Sequence, residues 1–185
     1  MEGEYRPSWG DRLRVRTRRA LLVHLRSLLQ PEETRLLDLG GGTGVTTAIF
    51  GKEARDIVVL EPNERKISRG RSAGAPMTFV SGVGESIPYP DGQFDRVVSL
   101  LSFHHFSRGD DVLRETARVL APGGRLVVYD LNPSSLSARW LGLFLGHHRE
   151  RFASSSDLAR RVLAAGFRAA RTEPFRSGTF VVADR

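Results

Sequence analysis

The sequence predicts a doubly wound α/β fold built on a mostly parallel seven-stranded sheet whose final strand runs antiparallel. Three observations carry that expectation. Short apolar runs alternate with longer segments of helical spacing, and such alternation demands crossover connections between parallel strands. The runs Asp56–Leu60 (DIVVL), Phe94–Leu101 and Arg125–Leu131 are almost continuously apolar, as strands covered on both faces must be. The last two runs, Phe167–Thr172 and Thr179–Val182, follow one another without a helix, so they pair antiparallel.

The elements follow in order. Trp9–Leu29 places Leu13, Thr17, Ala20, Leu21, Leu25 and Leu28 at helical spacing and gathers Arg12, Arg16, Arg19 and Arg26 on another side. Pro31 ends this amphipathic helix. Arg35–Leu39 is a short buried strand that stops at three glycines, and Val45–Lys52 is a helix closed near Gly51. The strand Asp56–Leu60 leads to a helix over 63–71, started by Pro62 or Asn63. Met77–Val80 and Phe94–Leu101 are the third and fourth strands, with the turn signal Pro90-Asp91-Gly92 between them. A helix over Asp110–Leu120 stops at Pro122-Gly123-Gly124, before the fifth strand, Arg125–Leu131. A shorter helix over 136–145 and one over Asp157–Ala165, capped by Ser155 or Ser156, precede the last two strands.

A chain of 185 residues with 40% hydrophobic and 26% charged residues has material for one core and is not disordered. It reads as a single domain: an N-terminal helical cap over 1–33, a core over 34–131, a short cap over 132–150, and the last helix and strands over 151–185. The absence of cysteine excludes disulfides, zinc–thiolate sites and thiol nucleophiles. No apolar run approaches the roughly 20 residues of a bilayer span, so integral membrane association is not expected. The opening MEGEYRPSWGDRLRVR lacks the apolar core of a secretory signal, and a cytoplasmic location is expected. The 28 Lys and Arg exceed the 21 Asp and Glu, giving a net charge of +7. Such an excess can serve a nucleic acid, but arginines spread from Arg6 to Arg185 read first as solvated faces.

The first strand ends in Asp38-Leu39-Gly40-Gly41-Gly42-Thr43-Gly44, where an open α/β sheet places its ligand loop. The second strand ends in Glu61, whose carboxylate can accept two hydrogen bonds from a ribose diol or can cap the next helix. The dinucleotide fingerprint G-x-G-x-x-G fails, because Val45 or Thr47 stands at the third glycine. A phosphate-cradling loop fails too, because no lysine follows Gly44.

An apolar strand followed by Asp38, Gly40, Gly42 and Gly44 resembles the first motif of the class I S-adenosylmethionine-dependent methyltransferases. The resemblance continues in order through Phe79–Asp95, Ser99–Phe106 (SLLSFHHF), Leu120–Leu126 (LAPGGRL) and Asp157–Phe167. It runs to the small-molecule branch that includes quinone-biosynthesis-type (type 11) enzymes, and it implies a Rossmann-like sheet and S-adenosylmethionine as cofactor. The implied binding residues are Asp38, Gly40, Gly41, Gly42, Thr43, Gly44, Glu61, Pro62, Gly84, Glu85, Ser99 and Leu100. In that setting Asp38 attracts the ammonium of the methionine end, where it would repel a phosphate. Many relatives carry an acid for the adenine amino group where this chain has Val83, so either Glu85 or a backbone carbonyl takes that place or adenine is held more weakly.

His104, His105 and Asp130 are the candidates for a general base, and Tyr129 points toward the same cleft. Adjacent histidines without an acid or cysteine cluster make a poor metal site, so no metal is expected. His147-His148 reads as a solvated pair. The reading is methyl transfer to a small-molecule acceptor. RNA as acceptor, and a cofactor-binding regulatory protein without turnover, stand as alternatives.

Overall fold

In chain order the elements are α1 (Trp9–Leu29), β1 (Arg35–Leu39), α2 (Thr47–Phe50), β2 (Asp56–Glu61), α3 (Glu64–Ser72), β3 (Thr78–Ser81) and β4 (Phe94–Leu100). They continue with a 3-10 turn (Phe103–His105), α4 (Gly109–Val119), β5 (Leu120–Leu131), α5 (Ser155–Ala164), β6 (Ala169–Phe175) and β7 (Gly178–Asp184). The computed structural model describes residues 5–132 and 154–185, so the expected helix over 136–145 and His147-His148 lie outside the described residues, as does most of the cap over 132–150.

The seven strands form one sheet in the order β3-β2-β1-β4-β5-β7-β6, and only β7 runs against its neighbours. The chain winds outward from β1 through β2 to β3, then crosses back to β4 and winds the other way. The order therefore reverses between β1 and β4, and the crevice beyond their carboxyl ends is where such sheets take ligands. The return from β3 to β4 uses no helix: a loop with a small bridge from Val83 to Ser86 spans it.

Alternation along the strands sorts the core into two faces. Leu37, Leu39, Val97, Leu126 and Val128 pack with Val112 and Leu113 of α4 and Leu158 and Val162 of α5. Leu36, Val98, Val127, Tyr129 and Phe180 pack on the other face with Leu21, Leu22, Leu25, Leu28 and Leu29 of α1. Helix α1 is thus a face-covering element held by five buried leucines. Ser8 caps it by accepting the Asp11 N–H. Among the described residues no helix is long and apolar enough to cross a membrane.

Four boundaries depart from the expectation. Helix α2 contracts to Thr47–Phe50 because Gly44, at φ +71°, turns the chain before it and Gly51 ends it. A Cβ on Gly51 would stand 2.9 Å from a Leu36 methyl, so glycine is required there. Strand β5 begins at Leu120, not Arg125: Leu120 already pairs with Phe94, and Pro122-Gly123-Gly124 forms an irregularity within the strand. The cap of α5 is Ser154, whose Oγ accepts the Asp157 N–H, ahead of the two serines expected. Strands β6 and β7 extend to a two-residue turn, Arg176-Ser177, because their pairing continues to Phe175 and Gly178.

Candidate active site

The loop after β1 is built for close approach. Gly40, Gly42 and Gly44 have φ of +73°, +64° and +71°. A Cβ on Gly40 would stand 2.8 Å from Ser102 Cβ, so the glycine lets the ends of β1 and β4 close on each other. Ser102 completes that closure by donating from Oγ to Leu39 O at 2.7 Å.

Two carboxylates stand at this loop. Glu61, 2% exposed, accepts from the Gly42 N–H with Oε2 and from the Asn63 N–H with Oε1, each at 3.1 Å. Lys66 Nζ lies 3.3 Å from its Oε1. Helix α3 is capped separately by Asn63, which accepts from Arg65 and Lys66 N–H groups. Asp38 is 1% exposed and sits behind Gly41, with Oδ2 accepting from Thr47 Oγ1 at 2.5 Å and Oδ1 without a partner. Burial pushes the Asp38 carboxyl up to about 7, with Thr47 pulling it down and Glu61 adding to the rise. Two acids here repel phosphate, and an unpartnered buried oxygen suits a cation, so the loop fits a ligand with an ammonium and no phosphate.

A cavity of about 360 Å³ opens beside the loop, lined by Gly40, Glu61, Pro62, Lys66, Val83, Glu85, Ser102, His105, Phe106 and Ser107. Of the residues singled out in the sequence it brings together Gly40, Glu61, Pro62, Val83, Glu85 and His105. Glu85 Oε1 accepts the Ser107 and Arg108 N–H groups at 3.1 and 3.3 Å, tying the β3–β4 loop to the start of α4. Gly84 is buried, and a Cβ there would meet the Phe106 ring at 2.9 Å. Ser99 and Leu100 lie off the cavity wall. Ser99 is fully buried and hydrogen-bonded to Ser102, and Leu100 packs in the core beneath α1. Ser102 takes the wall position instead. Thr43 faces a separate groove with Tyr5 and Arg69.

A second cavity, of about 450 Å³, is lined by Thr17, Arg18, Leu21, Leu101, His104, His105, Tyr129, Leu131, Arg176 and Ser177. His105 lines both cavities. The β4–β5 register, with Leu100 opposite Tyr129, sets Asp130 under the 3-10 turn that carries the histidines. His104 Nδ1 lies 2.8 and 2.9 Å from the two Asp130 carboxylate oxygens, and its backbone N–H donates to Oδ2. The Leu131 N–H donates to Oδ1, so Asp130 is fully engaged. An ionised carboxylate only accepts, which puts the His104 proton on Nδ1 and the basic lone pair on Nε2. This pairing supplies the acid that the His-His sequence lacked. Arg18 and Arg176 carried no sequence signal, being two arginines among many, and Ser102 stood inside the Ser99–Phe106 block without a role of its own.

A methyltransferase domain family model matches residues 37–128. The chain is 32% identical over 110 residues to the ubiquinone/menaquinone biosynthesis C-methyltransferase UbiE of Azotobacter vinelandii, covering 55% of this chain and 44% of the relative. It is 30% identical over 141 residues to the biotin biosynthesis bifunctional protein BioHC of Cellvibrio japonicus, covering 74% of this chain and 28% of that one. It therefore spans less than half the length of these two curated relatives. Among solved structures, an S-adenosylmethionine-dependent methyltransferase from Mesorhizobium loti superposes with a TM-score of 0.75 at 20% identity, covering 88% of this chain and 96% of the other. With this sheet order and this glycine loop, the chain belongs to the class I S-adenosylmethionine-dependent methyltransferase superfamily.

Proposed function

We propose that the chain catalyses methyl transfer from S-adenosylmethionine to a small-molecule acceptor. The observation that carries this reading is the pair of adjoining cavities that share His105: one against the glycine loop and Glu61, the other against a His–Asp pair. The names of the two curated relatives, which concern quinone and biotin biosynthesis, support a small acceptor, and the quinone-biosynthesis-like branch is the one the sequence resembles.

Gly40, Gly42 and Gly44 would hold the methionine end, with Asp38 attracting its ammonium through the loop. Glu61 would hold the ribose, and Val83, Glu85, Phe106 and Ser107 would surround the adenine. Glu85 Oε1 is committed to two backbone N–H groups, so Oε2 is the acceptor left for the adenine amino group. When bound, S-adenosylmethionine supplies a methyl carbon made electrophilic by its sulfonium. The protein then has to orient the acceptor, exclude water and remove a proton. His104 Nε2 takes that proton, and Asp130 holds the ring in orientation and stabilises the imidazolium.

Calorimetry tests the cofactor. S-adenosylmethionine and S-adenosylhomocysteine are expected to bind and NAD is not. Binding of NAD with no response to either sulfur ligand overturns the reading.

A further inference from the structure

We infer that the second cavity is an anion site: the acceptor carries a carboxylate, which Arg176 and Arg18 hold while its reactive group faces His104. This deepens the proposed function and rests on it for the role of His104.

The cavity wall sets the ligand's chemistry. Two arginines line it, Arg18 from α1 and Arg176 from the β6–β7 turn. Thr17, Tyr129 and Ser177 add hydroxyls, and Leu21, Leu101 and Leu131 add apolar surface. Among the described residues that line it, none is acidic. Asp130, beneath His104, is engaged by His104 and the Leu131 N–H. The described wall thus carries two guanidiniums with apolar flanks, which suits a small organic acid. A guanidinium pairs with a carboxylate through two parallel hydrogen bonds, giving orientation as well as attraction.

Arg176 stands where backbone chemistry favours another residue. It is the first residue of the two-residue turn, with φ +53°. A hairpin turn with positive φ at its first central position strongly favours glycine. An arginine there costs backbone strain, and such strain points to a use for the side chain. The side chain is also directed: its guanidinium lies 5.8 Å over the Phe175 ring, and that ring stacks on His24 at 4.8 Å. Burial pushes the Tyr129 phenol up and the Asp130 charge adds to the rise, while the Arg176 and Arg18 charges pull it down, so both guanidiniums lie within electrostatic range of this phenol.

The test uses the intact chain and calorimetry, with and without S-adenosylhomocysteine. The probes are 4-hydroxybenzoate, indole-3-acetate and octanoate, each against its uncharged amide. At least one acid is expected to bind about tenfold more tightly than its amide, and R176Q and R18Q each to reduce that gap about fivefold. R176G separates function from folding. It relieves the positive φ, so thermal stability is expected to hold or rise while the preference for acids falls. The inference is overturned if acids and amides bind alike across the panel, if no acid binds, or if R176G leaves the preference intact. Failure of S-adenosylhomocysteine to bind counts against the methyltransferase reading instead, and the acid preference measured without it still decides the anion site.

Discussion

Gly42 donates its backbone N–H to Glu61 at 3.1 Å, which ties the loop after β1 to the end of β2. The carboxylate is 2% exposed, so its bonds to Gly42 and Asn63 are made away from competing water. Removing it leaves two backbone donors unpaired and takes away the proposed ribose acceptor. Each charge-assisted bond contributes about 1.5–3 kcal/mol. E61A is therefore expected to weaken S-adenosylhomocysteine binding by about tenfold or more and to lower the melting temperature. Unchanged affinity in calorimetry would reduce Glu61 to a loop anchor.

Asp38 makes the cofactor site sensitive to pH. Its carboxyl titrates near pH 7 when folded, against about 4 when unfolded. Between those values the folded chain keeps a proton that the unfolded chain loses, so this group lowers stability as pH rises through the window, by up to about 1.4 kcal/mol per unit. D38N lacks that titration, and its stability relative to the parent is expected to climb from pH 4.5 to 7 in urea melts. A ligand ammonium favours the ionised form, so S-adenosylhomocysteine is expected to release a proton on binding near pH 6, read as a buffer-dependent enthalpy. A flat stability difference together with no proton release would show that Asp38 is held ionised.

The pairing of His104 with Asp130 predicts a kinetic signature. A positioned base contributes roughly 10²–10⁴-fold to proton transfer. H104N is expected to lower kcat by about 10²-fold or more and to leave S-adenosylhomocysteine affinity unchanged. D130N should lower kcat with little change in KM, because it alters the orientation and charge of the ring and not the cavity wall. A kcat that survives H104N would remove the base from the mechanism.

The sheet and the glycine loop were legible in the sequence, while the acceptor side was not, and the reason is range. Asp38 to Gly44 lie on one stretch of chain, and Glu61 ends the neighbouring strand, so strand ends alone bring them together. Asp130 meets His104 only through the β4–β5 register, which residue patterns do not specify at single-residue resolution. The resemblance implies Ser99 and Leu100 as binding residues, yet the close approach of the β1 and β4 ends at Gly40 and Ser102 puts the cavity wall at Ser102. Arg176 was invisible for a different cause: its significance lies in a positive φ that only the completed hairpin reveals.

The positive charge is expected not to serve RNA. Of the four arginines gathered on α1, Arg26 is engaged by Glu32 and Glu53. Arg12, Arg16 and Arg19 remain exposed, with Arg12 Nε donating to Pro7 O at 3.3 Å. Three phosphate contacts on single-stranded RNA would give a slope of log K against log salt of about −2, far short of tight binding at physiological salt. The expected dissociation constant is weaker than about 10⁻⁵ M under those conditions. The variant R12Q/R16Q/R19Q should behave like one that also carries R26Q, because Arg26 is already paired to carboxylates. Filter binding over a salt series decides the matter. Tight binding at physiological salt that is lost in the triple variant would put RNA ahead of a small molecule as the acceptor.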